Sequence, residues 1–432
     1  MLLNHGFFAS KTLWFLFVFL ISDATSSYRQ QWSKNQILDM ENRMSNENAL
    51  SNTMTPLDLV LLPESEYKTQ RCLDGSPFGY YLRRSSSSKN SRKWIFYLEG
   101  GGLCVEPIDC KIRQNSDQGS SSFWDSTHIP KNSELQDILS DNPEENPHFY
   151  DYNHVFLKYC SGDTWTGSRD SFDNLGFWFS GHTNIEATIN HLNKTQNLDM
   201  ATHFLLVGSS AGGIGVFNNA DYFLEKWISK STVFRAAPVS GFYFPGTLYL
   251  YPEFILDIEI PFNNIASTYI TSWFGSALDE SCARNTPRLQ QHKCWDASHL
   301  YQFVDTRLFM IENRYDSNIL EALLLCPLEH LHNNNTESFL KWFGDTMIEG
   351  FSSTVQSDRG MSKGDGLFSP SCLDHTDDFC IQGGPNVNGK RIDDMLGKWF
   401  MNDDTNSEIF QEVDSCNDIQ DTQLPCNDYC QC

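Results

Sequence analysis

The chain has 432 residues, with 31 Lys and Arg against 55 Asp and Glu, so its formal net charge is −24 at pH 7. Apolar residues make up 40% and aromatic residues 13%, which suffices for a packed core and excludes a wholly disordered chain. So negative a charge disfavours binding to nucleic acid or to an anionic membrane, which needs a basic surface, although the average would not reveal a local basic patch.

The N-terminal segment predicts export. Lys11 precedes an apolar run over 12–21, and small and polar residues follow from Ser22 to Ser27. A cation, a short apolar stretch and a small-residue exit are typical of a secretory signal peptide, which we assign to residues 1–26. The run has roughly half the length of a membrane-spanning helix. We therefore expect a secreted, extracellular protein with no stable membrane anchor, and a retained short anchor is the alternative.

Composition divides the rest of the chain into three segments. Residues 27–65 are polar without a clear period and predict a flexible leader. Over 66–400, apolar runs of strand length alternate with stretches of helical length, which predicts parallel βαβ units in one domain of the α/β class. Residues 401–432 are acidic and rich in cysteine, so we expect a tail held by disulfides. The expected strands are 94–98, 154–159, 204–207 and 308–311, and the expected helices are 184–192 and 213–227.

Thirteen cysteines follow the signal segment. In an oxidising compartment cysteines form disulfides more often than metal sites, and an odd number leaves at least one free or paired with another chain. Cys426, Cys430 and Cys432 are spaced closely enough to suggest zinc, but no histidine-rich segment accompanies them. We expect no metal and no cofactor. Two sequons, at Asn193 and Asn334, predict glycosylation of a secreted chain.

The strongest motif is Gly208-x-Ser210-x-Gly212, which directly follows one expected strand and precedes a helical stretch. This context is typical of the nucleophile elbow, a tight turn that exposes the serine hydroxyl. The helix that follows would direct its positive N-terminal end at an oxyanion. Ser209 is the competing nucleophile, and a glycine-rich turn with an incidental serine is the non-catalytic alternative.

A second glycine-rich segment, Gly100-Gly101-Gly102, follows the strand at 94–98. Glycine amides can turn toward a ligand because no side chain obstructs them. We expect the N–H groups of Gly101, Gly102 and Ala211 to form an oxyanion hole. The alternatives are a tight turn or a phosphate-binding loop, but no Gly-Lys-Ser/Thr follows, which disfavours a P-loop.

A nucleophilic serine needs a histidine base and a carboxylate that orients the base. In α/β-hydrolases the acid and then the histidine follow the serine along the chain. Asp316, just past the strand at 308–311, is the candidate acid, and Glu312 is its rival. His375, in a loop that also contains a proline and a cysteine, is the candidate base. The other histidines after the serine are His292, His299, His330 and His332.

Several segments, taken together and in order, resemble the Notum and pectin acetylesterase family of α/β-hydrolases over roughly residues 66–380. The segments are 71–81, 97–104, 159–167, 208–213, 315–317 and 371–375. The resemblance implies an α/β-hydrolase fold with a mostly parallel central sheet flanked by helices. It also implies Ser210 as nucleophile, Asp316 as acid and His375 as base, with the oxyanion hole at Gly101, Gly102 and Ala211. The disulfides implied by the same likeness are Cys72–Cys160, Cys104–Cys110 and Cys282–Cys294.

Two positions near the expected acyl pocket depart from the family pattern. Leu103 stands where pectin acetylesterases carry tryptophan after the glycines, and Val239 stands where the family commonly has an acidic residue. These departures leave the expected triad intact. We therefore expect a secreted serine carboxylesterase that acts on an O-acylated polysaccharide or on an acylated secreted protein. The alternative is a catalytically inactive secreted binding protein on a hydrolase scaffold.

Overall fold

The computed structural model describes residues 54–131, 134–244, 271–324, 326, 328, 334–376, 379, 384–403, 408–414, 427 and 430. The expected signal peptide and residues 27–53 of the expected leader lie outside the described residues, as does most of the expected tail. From Met54 to Cys432 the chain belongs to one structural unit.

Twelve strands are found in the described part of the chain, and ten of them form one sheet. The strands are β1 (Leu57–Leu61), β2 (Gly79–Arg83), β3 (Lys93–Leu98), β4 (Thr127–His128), β5 (Asn153–Leu157), β6 (His203–Ser209), β7 (Val233–Val239), β8 (Phe309–Ile311), β9 (Gly366–Ser369), β10 (Asn386–Val387), β11 (Lys390–Arg391) and β12 (Gln411–Val413). The large sheet has the spatial order β12-β9-β8-β7-β6-β3-β5-β2-β1-β4, and β10 pairs with β11 separately. The seven strands from β12 to β5 are parallel, and β2, β1 and β4 continue the sheet antiparallel.

Helices connect the parallel strands. The described α-helices are α1 (Pro107–Arg113), α2 (Gly181–Gln196), α3 (Ala211–Tyr222), α4 (Glu280–Asn285), α5 (Ala297–Leu300), α6 (Asn334–Ser353), α7 (Asp358–Lys363) and α8 (Ile392–Met401). Short π-helical segments span Phe223–Trp227 and Ile319–Leu323, and 3-10 segments span Ser121–Phe123, Gln136–Leu139, Leu198–Met200, Arg288–Trp295 and Tyr301–Phe303. None of the helices in the described ranges combines the length and the apolar character that a membrane span requires.

Apolar cores cover both faces of the sheet. Along β3, Trp94 and Phe96 belong to one core, and Ile95 and Tyr97 belong to the other. The first core includes residues of α2, α3 and α6, and the second includes residues of α8. A strand buried on both faces has an almost continuous run of apolar residues, which explains why β3 and β6 could be predicted from the sequence.

The expected α/β-hydrolase architecture, a mostly parallel sheet flanked by helices, is confirmed. The main difference concerns the ends of the domain. Strand β1 lies inside the segment expected to be a flexible leader, and β12 lies inside the expected tail. Both are short strands of at most five residues, and β1 pairs with β2 and β4 while β12 pairs with β9 at the edge of the sheet. Short strands that are ordered by pairing with other segments show little periodicity of their own. Composition therefore placed the boundaries of the leader and of the tail several residues inside the folded domain.

The structure contains four disulfides among the described cysteines. Three join the pairs that the family resemblance implies, Cys72–Cys160, Cys104–Cys110 and Cys282–Cys294. The fourth, Cys372–Cys430, joins the loop after β9 to the tail and was not foreseen. Cys430 therefore has a disulfide partner and is not a zinc thiolate.

The two predicted glycosylation sites lie on helices. Asn193 is half-buried on α2, and no described group donates a hydrogen bond to its shielded Oδ1. Asn334 begins α6, and its side chain lies outside the described residues. Glycosylation at both positions stays a prediction.

Replacement of Trp399 tests the core beneath α8. Trp399 is fully buried, packs against Phe309 with ring centroids 5.2 Å apart, and donates its indole N–H to Gly364 O at 2.9 Å. We expect Trp399→Ala to lower the free energy of unfolding by about 3–5 kcal/mol, because it leaves a large cavity. Denaturant unfolding would measure this loss. The matched control is Leu289→Ala, since Leu289 is 90% exposed, and its expected change is under about 0.5 kcal/mol. Equal losses in the two variants would contradict the described core.

Candidate active site

Ser210 occupies a sharp turn between a buried strand and a buried helix. It follows β6 and precedes α3, with φ 53° and ψ −117°. Few non-glycine residues adopt such a backbone, and it persists only where the surroundings enforce it. The backbone N–H of Ser210 donates to Val239 O at the end of β7, at 2.9 Å. This turn places the serine side chain at the carboxyl edge of the parallel strands.

The glycines around Ser210 are required by close backbone approach. A Cβ on Gly212 would lie 2.0 Å from the carbonyl oxygen of Leu98, and a Cβ on Gly208 would lie 2.6 Å from that of Gly212. Neither position has space for a side chain. The absence of side chains lets α3 pack directly on the ends of β3 and β6.

Ser210, His375 and Asp316 form a continuous hydrogen-bonded chain. The Nε2 atom of His375 lies 2.8 Å from Ser210 Oγ, and its Nδ1 atom lies 2.6 Å from Asp316 Oδ2. Asp316 is fully buried, and its Oδ1 accepts the backbone N–H of Ile319 at 2.9 Å. In this arrangement an imidazole can take the serine proton while the carboxylate stabilises the imidazolium.

The loop that carries His375 is held from two sides. The hydroxyl of Ser240 donates to the carbonyl oxygen of His375, and Nδ2 of Asn313 approaches the same oxygen at 3.4 Å. The Cys372–Cys430 disulfide fixes the chain three residues before the histidine. These contacts orient the imidazole toward Ser210 without using its ring nitrogens.

The charges around His375 favour the protonated form of its imidazole, although burial opposes that form. Burial disfavours the imidazolium, but Asp316 outweighs it through charge and a hydrogen bond, with Glu134 and Asp374 adding to the effect. The pKa of His375 is therefore raised above its ordinary value. The field of these carboxylates makes the histidine a stronger base than a free imidazole.

The glycine loop after β3 faces the start of α3. Gly101 and Gly102 have φ values of +135° and +69°, which glycine adopts without strain. A Cβ on Gly100 would lie 2.8 Å from the carbonyl oxygen of Ser209, so the loop packs directly on the turn that leads to Ser210. The N–H of Ala211 belongs to the first turn of α3, where no intrahelical acceptor exists. These amides are suited to receive an anionic oxygen beside Ser210.

Contacts behind the loop keep it in place. The carboxylate of Glu99 accepts the backbone N–H of Tyr159 at 2.8 Å and contacts Lys158 Nζ at 3.3 Å. The backbone carbonyl of Glu99 accepts the indole N–H of Trp165 at 3.0 Å. The loop is thus joined to the segment after β5 by both its side chain and its backbone.

Asp163 organises that neighbouring segment. Its carboxylate accepts Ser161 Oγ at 2.6 Å, Trp165 N at 3.1 Å and Gly181 N at 2.8 Å. Burial raises the pKa of Asp163 to about 6, against the lowering effect of these hydrogen bonds. The carboxylate holds Trp165 in a left-handed backbone conformation, φ 61°, from which its indole reaches the glycine loop.

The competing candidates from the sequence lie elsewhere. Ser209 is fully buried in β6, with its Oγ 3.3 Å from Glu134 Oε2. The structure brings Asp316 rather than Glu312 to the imidazole of His375. His299 contacts Thr286 Oγ1 at 3.2 Å. Of the remaining histidines, His292 lies on the segment Arg288–Trp295, and His330 and His332 lie outside the described residues.

The two departures from the family pattern have different environments. Leu103 is partly buried against an apolar cluster that includes Cys104 and Phe179. Val239 is fully buried in the core shared with Ile311, and its carbonyl anchors the nucleophile turn. Position 239 therefore contributes to the packing of the sheet.

Sequence reasoning missed two residues that touch the triad. Ser240 holds the His375 loop, and Tyr243 interacts with Ser210 while its hydroxyl donates to Asn318 Oδ1 at 3.1 Å. Both follow the end of β7, at the carboxyl edge where parallel sheets place their sites. Their position after a parallel strand was the only signal in the sequence that could have pointed to these two residues. Their contacts join distant parts of the chain and leave no local pattern.

Two further features of the described residues lie apart from the triad. Cys282, Cys294 and His299 are close enough to suggest a metal site, but the two cysteines form a disulfide and offer no thiolate. A polar cleft of about 710 Å³ contains none of the triad residues. It is lined by Asp74, Lys111, Gln114, Asn115, Phe172, Asp173, Asn174, Leu175 and Gly176.

Comparison with known proteins identifies related chains. A family profile described as Pectinacetylesterase matches residues 50–431. The palmitoleoyl-protein carboxylesterase NOTUM of Schmidtea mediterranea is 28% identical over 337 residues, which cover 76% of this chain and 60% of that protein. Pectin acetylesterase 5 of Arabidopsis thaliana is 25% identical, with 81% of this chain and 82% of that protein covered. The solved structure of the Wnt deacylase Notum from Drosophila superposes with a TM-score of 0.65 at 26% identity, covering 80% of this chain and 93% of that chain.

The raised pKa of His375 can be tested without substrate. We expect an imidazole pKa above about 6.5, the ordinary value, and a lower pKa in Asp316→Asn, because burial then acts without the opposing charge. NMR titration of histidines labelled at Cε1 would measure both values. His191 on α2 is the control, since burial lowers the pKa of its imidazole and Asp316 is not among the groups that act on it. An unchanged His375 pKa in Asp316→Asn would refute this electrostatic coupling.

Proposed function

This chain belongs to the pectinacetylesterase family, and from that membership we propose that it is a secreted serine carboxylesterase with Ser210, His375 and Asp316 as its catalytic triad. The observation that carries the proposal is the 2.8 Å contact between Ser210 Oγ and His375 Nε2. The second support is the 2.6 Å contact from the same ring to a fully buried carboxylate.

In the acylation step, Ser210 Oγ attacks the ester carbonyl carbon while His375 Nε2 takes the hydroxyl proton. Asp316 stabilises the imidazolium and keeps Nδ1 protonated. The negative oxygen of the tetrahedral intermediate is received by the N–H groups of Gly101, Gly102 and Ala211. Each such donor is typically worth about 2.7–4 kcal/mol in the transition state. The intermediate then expels the alcohol, which takes its proton from His375.

In the deacylation step, water replaces the departed alcohol. His375 Nε2 removes a proton from the water as the water oxygen attacks the acyl carbon. The second tetrahedral intermediate collapses, Ser210 Oγ departs, and it recovers its proton from the imidazolium. The acid is released, and the enzyme returns to its starting protonation state.

Secretion is supported by two independent features. The sequence begins with a segment typical of a signal peptide. Four disulfides join eight of the described cysteines, which fits an oxidising compartment. On this proposal the substrate is extracellular.

Two classes of acyl substrate are compatible with the relatives. The planarian relative is named for removing palmitoleoyl groups from protein, and the plant relative for removing acetyl groups from pectin. The match spans about 60% of the planarian enzyme's own length. We propose an O-acylated polysaccharide or an acylated secreted protein as the substrate of this chain.

The role of Ser210 is tested by replacing each of the two adjacent serines. We expect Ser210→Ala to lose labelling by a fluorophosphonate and to lower kcat for p-nitrophenyl acetate by at least about 10³-fold. Ser209→Ala is the matched control and should retain labelling, since Ser209 Oγ faces Glu134 rather than His375. Full activity in Ser210→Ala would refute the proposed nucleophile. A wild-type protein that neither reacts with the fluorophosphonate nor hydrolyses esters would favour the inactive binding protein.

Acyl-chain preference separates the two substrate classes. If the pocket fits only acetyl groups, we expect kcat/KM for p-nitrophenyl acetate to exceed that for the octanoate at least about tenfold. The longer acyl chain would then collide with the side chains that line the pocket. A deep apolar pocket should reverse the preference, because each buried methylene contributes about 0.8 kcal/mol. Measuring kcat/KM over a series of even chain lengths would show which class applies. Equal values along the series would contradict a pocket specific for either acyl group.

A further inference from the structure

Glu312 is a buried carboxyl group that the proposed mechanism does not use. It is the first residue after β8, four residues before Asp316, and both side chains are fully buried. Among the described residues, neither carboxyl group forms an ion pair with Lys or Arg, and the ionic partner of Asp316 is His375. Two adjacent carboxylates without a cation between them cannot both remain charged at low cost.

The two oxygens of Glu312 have different surroundings. Oε2 accepts the backbone N–H of Phe242 at 2.9 Å. No described N–H or O–H group donates to the buried Oε1. An ionised Glu312 would therefore hold a buried negative oxygen without a donor, which is a costly arrangement. A protonated Oε1 would instead act as a donor itself and need only an acceptor.

The acceptor available to that proton is Asp316. Glu312 lies four residues before Asp316, both side chains are fully buried, and they interact through charge and a side-chain hydrogen bond. Burial first, and then repulsion from Asp316, raise the pKa of Glu312 well above its ordinary value. Asp316 already accepts one hydrogen bond from His375 and one from the backbone of Ile319. A carboxylate has lone pairs for a further donor.

We propose that Glu312 is a neutral carboxylic acid that donates a hydrogen bond to Asp316 and thereby positions the triad carboxylate for His375. Glu312 is a positioning residue, because it acts through Asp316 and does not itself reach the serine. The inference rests on the proposed esterase function. It also explains why the site contains two buried acids while only one contacts the imidazole.

A neutral Glu312 has an electrostatic consequence at the histidine. The positive end of its O–H bond points at Asp316 and partly compensates the negative charge that stabilises the imidazolium. The imidazole consequently stays less basic than it would be beside an uncompensated carboxylate. A His375 that remained protonated at neutral pH would be unable to accept the serine proton.

The other titratable groups around this pair come from neighbouring elements. Tyr243, after β7, lies near both carboxyl groups, and burial raises its pKa well above the ordinary value, so it stays neutral. On the far side of His375, the charges of Glu134 and Asp374 act on the imidazole.

Three variants at one position test the proposal. Glu312→Gln keeps an acceptor for Phe242 and a donor for Asp316 without any titration, so we expect kcat/KM within about threefold of wild type and an unchanged acid limb of the pH profile. Glu312→Leu removes the donor. We expect kcat/KM to fall at least about tenfold and the acid limb to move upward by roughly half a pH unit, because the uncompensated Asp316 then holds the imidazolium more firmly. Glu312→Met provides the same test if the leucine variant fails to fold.

Two results would overturn the proposal. A downward move of the acid limb in Glu312→Gln would show that wild-type Glu312 is ionised. A lower Tm and lower kcat in Glu312→Leu or Glu312→Met with an unmoved acid limb would show that the residue only fills space.

Failure of this inference is distinguishable from failure of the esterase proposal. The pKa of the His375 imidazole, followed by NMR in each variant, reports on the hydrogen bond without any catalysis. Activity retained in Ser210→Ala would refute the esterase mechanism. An inactive Ser210→Ala combined with either overturning result at Glu312 would remove only the present inference.

Discussion

The site depends on the direct contact of backbone with backbone where β3, β6 and α3 meet. Gly212 lies against the carbonyl of Leu98, and Gly100 lies against the carbonyl of Ser209, at separations that leave no space for a Cβ. This contact forces Ser210 into its unusual backbone conformation and brings the glycine loop beside the first amides of α3. The proposed nucleophile and the proposed oxyanion donors are therefore positioned by the same packing contact. A side chain added at this junction would displace both at once.

The buried acids near the site differ in what neutralises them. Glu99 faces Lys158 and a backbone amide, and Asp163 is surrounded by hydroxyl and amide donors. Asp316 has the imidazole, whereas Glu312 has no described cation beside it and interacts with the backbone of Phe242 and Gly241 and with another carboxyl group. The protonation state of each acid follows from these partners rather than from the overall charge of −24. The chemistry of the site therefore depends on a few buried carboxyl groups and not on the many other acidic residues of the chain.

The local sequence was sufficient to predict the strands that are buried on both faces of the sheet. Strands β3 and β6 appear as apolar runs closed by glycines, and the turn at Ser210 follows from that context. Chain order narrowed the acid and the base to a few residues, and the family resemblance selected Asp316 and His375 among them. The structure brings those two residues and Ser210 within hydrogen-bonding distance.

Contacts between distant segments could not be predicted in the same way. The pairing of β12 with β9, the Ser240 contact with the His375 loop and the Phe242 contact with Glu312 each join residues far apart in sequence. No local period records such pairings. The Cys372–Cys430 disulfide belongs to the same group, because thirteen cysteines allow far too many pairings for spacing to choose among them.

That disulfide also sets an order of events during biosynthesis. Cys372 lies three residues before the proposed base, and its partner follows 58 residues later. The ribosome adds residues at about 5–20 per second, so several seconds pass between the synthesis of the two cysteines. The residues of the turn at Ser210 have already been synthesised by then, but this disulfide cannot close until Cys430 has been made. On the proposed function, a newly made chain therefore contains the proposed nucleophile before this disulfide can fasten the loop of the proposed base.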